Sequence, residues 1–249
     1  MNKSSYLDLS RAFLHILAMA IMLCDHSWAT IFPGTQWLTR IGRIAFPIFA
    51  FLLVEGYFHT HNLRRYMTRL LAGAVISEIP FNYMVGGGPI YPYHQNVLWT
   101  FFFALLIVST IDKLHQQLRP AAALAASAAL AALGYLLGYV AMVDYYGLGI
   151  LTVLVFYFFR ERTWTNFALQ FACLLVINGF LLGGLYWPVT VMGHEFELPQ
   201  QGLALLALVP IWLYHGRQGY HNKRFQRFCY AFYPLHITVL CCISAVLSR

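Results

Sequence analysis

Asp25 and His26 stand side by side inside the first long apolar run, Ala12 to Phe32. An ionisable side chain at membrane depth costs several kcal/mol unless something uses it, so this pair reads as a reaction or transport centre. Imidazole titrates near neutrality, and His26 can take a proton from an amine or hydroxyl and return it. Neighbours on a helix point about 100° apart, which sends Asp25 toward a different partner from His26. Arg43 is the candidate partner, within Gly42-Arg43-Ile44-Ala45-Phe46-Pro47. Pro47 withholds a donor from the helix ladder and is expected to bend this second span. A buried Asp–Arg pair beside a satisfied histidine is the plainer alternative.

Ser77-Glu78-Ile79-Pro80-Phe81-Asn82 repeats the pattern, with a proline beside a carboxylate and an amide. That is how polar sites are built in lipid, and Glu78 could bind a cationic amine or relay a proton. Asn96, Asp144, Tyr145 and Tyr146 fall at the outer ends of their spans. Asn96 and Asp144 also fit helix N-caps, and the tyrosines also fit an interfacial aromatic belt. Arg64, Arg65 and Arg69 gather within two turns, which suits phosphate as well as lipid headgroups. His236, in Tyr233-Pro234-Leu235-His236, is a lone histidine about two turns into the last expected span.

These residues need an all-α, membrane-embedded frame to hold them. The 249-residue chain is 60% hydrophobic and 10% charged, against about 25% charged in soluble domains. The apolar runs tile it as a single transmembrane domain, 1–249. A span needs about 20 apolar residues, and on that rule nine fall near 12–33, 41–58, 66–85, 97–112, 120–140, 145–159, 164–183, 201–215 and 229–247. The first is expected to be a retained helix rather than a signal peptide. The Ala-rich stretch 121–132 is expected to be a packing helix with small-residue contacts.

Alternate connections carry the basic residues, which places the N-terminus in the cytoplasm. The net charge of +7 therefore points to membrane lipids and topology, not to nucleic acid. Polar residues then form two layers. Asp25, His26, Arg43, Glu78, Asn82, Asn96 and Asp144 lie toward the outer half. His15, Glu55, His59, His61, Arg64, Arg65, Arg69 and His236 lie toward the inner half. The cysteines, Cys24, Cys173, Cys229, Cys241 and Cys242, show no metal or redox spacing, and no metal is expected.

Asp25-His26, Gly42 to Phe51, Glu55-Gly56, Ser77 to Asn82, Asn96-Val97, Tyr146-Gly147 and Tyr233 to His236 together resemble the TraX family of membrane N-acetyltransferases. The resemblance runs in order over almost the whole chain. The family is named for the enzyme that acetylates the N-terminus of F-type pilin. It implies acetyl-CoA as donor and a protein amino terminus as acceptor, with a glycan as the other acceptor to consider, in the bacterial inner membrane. A more distant likeness to membrane acyltransferases with a first-span histidine implies His26 as catalytic base, supported by Asp25, Arg43 or Glu78. On the same resemblance Arg64, Arg65, Arg69 and His236 would hold CoA, and Asn82, Asn96, Asp144 and Tyr146 the acceptor. Direct transfer and an acetyl-histidine intermediate both fit. The competing reading is a proton-coupled transporter or flippase in which Asp25, His26, Glu78 and His236 form a relay. A pilus or glycan assembly partner leaves the buried charges without a purpose.

Overall fold

Side-chain caps in the short connections start the helices. Ser10 Oγ accepts from the Phe13 amide ahead of α1 (Arg11–Thr30), and Asn62 Oδ1 accepts from Arg65 ahead of α4 (Leu63–Gly86). Asn96 does this for α5 (Val97–Gln117), Thr163 for α8 (Trp164–Leu175) and Asn222 for α10 (Lys223–Leu247). Pro120 opens α6 (Pro120–Val140) at a position where its missing N–H costs nothing. Gly87 closes α4 in the left-handed conformation, φ 70°. The computed structural model describes residues 8–248.

Among these residues six helices are long and apolar enough to cross a membrane: Arg11–Thr30, Gln36–His59, Val97–Gln117, Pro120–Val140, Trp164–Leu181 and Lys223–Leu247. α4 has the length, 24 residues, but carries Arg64, Arg65, Arg69 and Glu78 and is not one of the six. Two further apolar segments, α7 (Tyr146–Phe158) and Gln200–Trp212, are shorter. At 1.5 Å per residue the 13 residues of α7 reach only about 20 Å, short of the roughly 30 Å hydrocarbon core.

Three elements depart from the expected continuous helices. The second span is broken into α2 (Gln36–Gly42) and α3 (Ala45–His59), with Arg43 and Ile44 between them. Pro47 therefore sits in the first turn of α3, where no ladder bond is lost, instead of bending a continuous helix. The seventh span runs from α8 into a π-helical turn, Val176–Leu181, and the eighth is 3₁₀ over Gln200–Ala207 before α9 (Leu208–Trp212). Between them lies an antiparallel hairpin, β1 (Tyr186–Val191) and β2 (His194–Pro199), where only a loop was expected. Trp187, Val189, Phe196 and Leu198 alternate onto one of its faces, and Met192-Gly193 turn it with positive φ.

The surface inverts the soluble pattern. Ile76, Ile79, Leu124, Val140, Val239 and Val246 are exposed, whereas Glu55, Asn82, Asn96, Gln170, Asn178 and Gln201 are buried. Apolar groups outside and polar groups inside are what a lipid solvent selects. Helix association then relies on close packing, and small residues allow it. A Cβ on Gly138 would lie 2.7 Å from the Gly147 Cα, and one on Gly147 would strike the Tyr135 backbone. Gly147→Ala is accordingly expected to destabilise the α6–α7 contact by about 1–3 kcal/mol. A thermal unfolding scan in detergent checks this, and an unchanged midpoint would contradict it.

Candidate active site

The 100° phase between Asp25 and His26 is realised on α1. Asp25 faces the break between α2 and α3, where its Oδ1 accepts from Arg43 Nη2 at 2.5 Å. Arg43 also donates to the Thr39 carbonyl (3.1 Å), to Thr39 Oγ1 (2.8 Å) and to Gln201 Oε1 (3.5 Å). Gln201 in turn donates to Asn178 on the π-turn at 3.1 Å. The irregular backbone of the second and eighth spans thus meets at one guanidinium, and the seventh joins it through Gln201. π-Turns frequently mark functional sites. Gly42 is required here, because any Cβ would overlap the Asp25 side chain.

His26 faces α10. Its Nδ1 lies 2.7 Å from His236 Nε2, and His236 Nδ1 lies 2.7 Å from the Phe232 carbonyl oxygen. Tyr233 meets both imidazoles edge-on, at 6.0 and 5.8 Å between centroids. His236 was expected among the inner-half groups that hold CoA, and the structure sets it against His26 instead. The reason is the start of α10. The helix begins at Lys223, not near 229, so His236 stands 13 residues, or about 20 Å, up it.

Two cavities lie side by side here, and His26 lines the smaller of them. A large one, about 870 Å³, opens at the basic end and is lined by Arg11, His15, His59, His61, Arg65 and Arg69. A small chamber of about 50 Å³ is lined by Asp25, His26, Gly42, Phe46, Asp144 and Tyr145. Met22, Phe49, Val97, Phe101 and Tyr233 wall both. Arg64, expected with Arg65 and Arg69, does not line the large cavity. Arg65 and Arg69 share a face at i, i+4, and Arg64 is turned about 100° from Arg65. Arg11 takes the third place.

The remaining expected residues brace the walls. Glu78 Oε2 accepts from Asn96 Nδ2 (2.5 Å) and Trp99 Nε1 (2.9 Å), tying α4 to α5. Asn96 also donates to the Ala74 carbonyl and caps α5, so it is fully engaged. Asn82 donates to the Pro89 carbonyl. None of these three lines either cavity. Asp144 reaches the chamber, and its Oδ1 lies 3.3 Å from His94 Nε2 and 3.1 Å from the Tyr145 amide. That bond to Asp144 is the chief reason the His94 imidazole, in the connection before α5, titrates above its ordinary value. Tyr146 packs edge-on against His94, while Tyr145 is the tyrosine in the chamber wall, stacked on Phe46 at 3.9 Å. Both tyrosines have positive φ, 59° and 48°, a strained backbone of the kind found at functional sites.

The sequence did not mark Arg11 as a cavity residue, Gln201 as a partner of Arg43, or Asn178 as a partner of Gln201. It also left Tyr145 as an interfacial aromatic and used Tyr233 only as part of a motif. Arg11 alone had a visible signal, one helix turn before His15 on the first span.

Known proteins now bear on the geometry. The family model described as TraX protein matches residues 10–244. A protein of Dichelobacter nodosus named "Probable fimbrial assembly protein FimC, serogroup H1" is 29% identical over 254 residues, covering 96% of this chain and 97% of the relative. No solved structure matches. A family model spanning nearly every element of both cavities decides the assignment: the chain belongs to the TraX family.

Proposed function

We propose that this chain is an acetyltransferase of the bacterial inner membrane that moves an acetyl group from cytoplasmic acetyl-CoA to an amine presented at the opposite face. The observation that carries the reading is that the two cavities share the walls Met22, Phe49, Val97, Phe101 and Tyr233, with His26 lining the small one. The large one is basic at its mouth and apolar at depth, which matches a CoA with its phosphates at Arg11, Arg65 and Arg69 and its thioester arm extended inward. The small chamber holds His26 and Asp144, a base and a carboxylate suited to an ammonium. The fimbrial assembly role in the relative's name favours a pilin-like protein amino terminus as acceptor over a glycan.

In this scheme Asp144 attracts the acceptor ammonium and His26 takes one proton from it. The freed amine attacks the thioester carbonyl, the carbon–sulfur bond breaks, and the departing sulfur takes the proton that the nitrogen sheds. An amide and CoA thiol leave, and His26 returns its proton to water. Arg43 and Asp25 neutralise each other and hold α1 against the helix break, so they position the chamber without exchanging protons.

Replacing Arg65 and Arg69 together by Gln is expected to raise the apparent KM for acetyl-CoA about tenfold or more, the equivalent of roughly 1.4 kcal/mol, with kcat little changed. Arg64→Gln is expected to leave both unchanged, because Arg64 lies outside the cavity. Initial rates with labelled acetyl-CoA and an amine-terminated peptide check this. Equal effects of Arg64 and of the Arg65/Arg69 pair would return the cluster to a topological role.

A further inference from the structure

We propose that His236 is a positioning residue that selects which nitrogen of His26 acts as the base, an inference that rests on the acetyltransferase reading for its catalytic consequence. A carbonyl oxygen only accepts, so the 2.7 Å contact of His236 Nδ1 with the Phe232 carbonyl puts the hydrogen of a neutral His236 on Nδ1. Its Nε2 then carries a lone pair and must accept. The 2.7 Å contact to His26 Nδ1 is therefore an N–H donated by His26. A neutral His26 with its hydrogen on Nδ1 has its lone pair on Nε2, and among the described residues no hydrogen-bond partner meets that nitrogen.

The neutral state follows from the surroundings. Among the described residues no carboxylate oxygen lies within 4.0 Å of a nitrogen of either ring, and an uncompensated charge at membrane depth is costly. The arrangement is also held rigidly. The two imidazole planes lie 10° apart with centroids 4.8 Å apart, which suits an in-plane N–H···N bond, and Phe232 stacks on His236 at 4.7 Å. The backbone carbonyl of α10 thus dictates the His236 tautomer, and His236 dictates that of His26. When His26 takes a proton on Nε2, its Nδ1–H becomes a charge-assisted donor to His236, which steadies the cation during transfer.

The test pairs two variants with a spectroscopic readout that does not depend on turnover. His236→Phe keeps the ring volume but offers no acceptor, and His236→Gln presents a carbonyl oxygen near the place of Nε2. The phenylalanine variant is expected to lose about 10²-fold in kcat with KM for acetyl-CoA nearly unchanged, and the glutamine variant to recover most of that loss. In the ¹⁵N spectrum of protein labelled at histidine, the His26 ring is expected to be Nδ1-protonated in the wild type and in His236→Gln, and to lose that preference in His236→Phe. Equal losses of kcat in the two variants, or an Nε2-protonated His26 in the wild type, would overturn the assignment. An Nδ1-protonated ring with no detectable acetyl transfer supports the positioning role and counts against the enzymatic reading alone.

Discussion

His26→Ala is expected to slow acetyl transfer by about 10²–10⁴-fold while the protein still folds and inserts, the range that a positioned general base contributes. The loss should fall on kcat, because the basic mouth of the large cavity, with Arg11, Arg65 and Arg69, is untouched and acetyl-CoA binding persists. Folding should survive because His26 makes one side-chain hydrogen bond, to His236, and its Thr30 contact uses the backbone carbonyl, which alanine retains. Kinetics on purified protein in nanodiscs, with insertion monitored separately, check both halves. Full activity in His26→Ala would remove His26 from the chemistry.

Asp25→Asn or Arg43→Gln alone is expected to be the most damaging single change to stability, at about 2–3 kcal/mol. Removing one partner of a buried pair strands the other charge, a cost of roughly 3–5 kcal/mol when burial is complete. These side chains retain about a fifth of their exposure, 20% and 22%, which places the effect toward the lower end. The double variant, with both charges gone, should recover much of the loss, since a neutral amide pair leaves no uncompensated ion. Thermal unfolding of the four proteins forms a double-mutant cycle. Strictly additive losses would show that the pair is not coupled, and that the 2.5 Å contact contributes little to holding α1 against the helix break.

What the sequence made legible were the costs of burial. Asp25 could not be left unpaired in an apolar run, and Arg43, set in the more distinctive segment Gly42 to Pro47, was the candidate to answer it, as the structure has it. The Ala-rich sixth helix was equally readable, since a proline start and small residues left no competing pattern over Pro120–Val140. Where the backbone is irregular, periodicity had nothing to say. The break at Arg43, the π-turn at Asn178 and the 3₁₀ segment at Gln201 all read as continuous apolar helix. Yet these are the places where buried polar side chains meet. The hairpin was hidden for a related reason: its two strands are only six residues each, within a stretch read as a connection. His236 was misplaced by a helix boundary. Lys223 and Arg224 read as loop charge, but they open α10 and lift His236 about two further turns, to the level of His26.

Release of CoA from acetyl-CoA by the purified wild-type protein, followed together with label on an amine-terminated acceptor peptide, is the decisive measurement for acetyl transfer by this chain. CoA release is expected to be matched one-to-one by acetylated amine, with His26→Ala near the uncatalysed background. Failure of the wild-type protein to bind or consume acetyl-CoA, with or without the acceptor, would contradict the acetyltransferase reading.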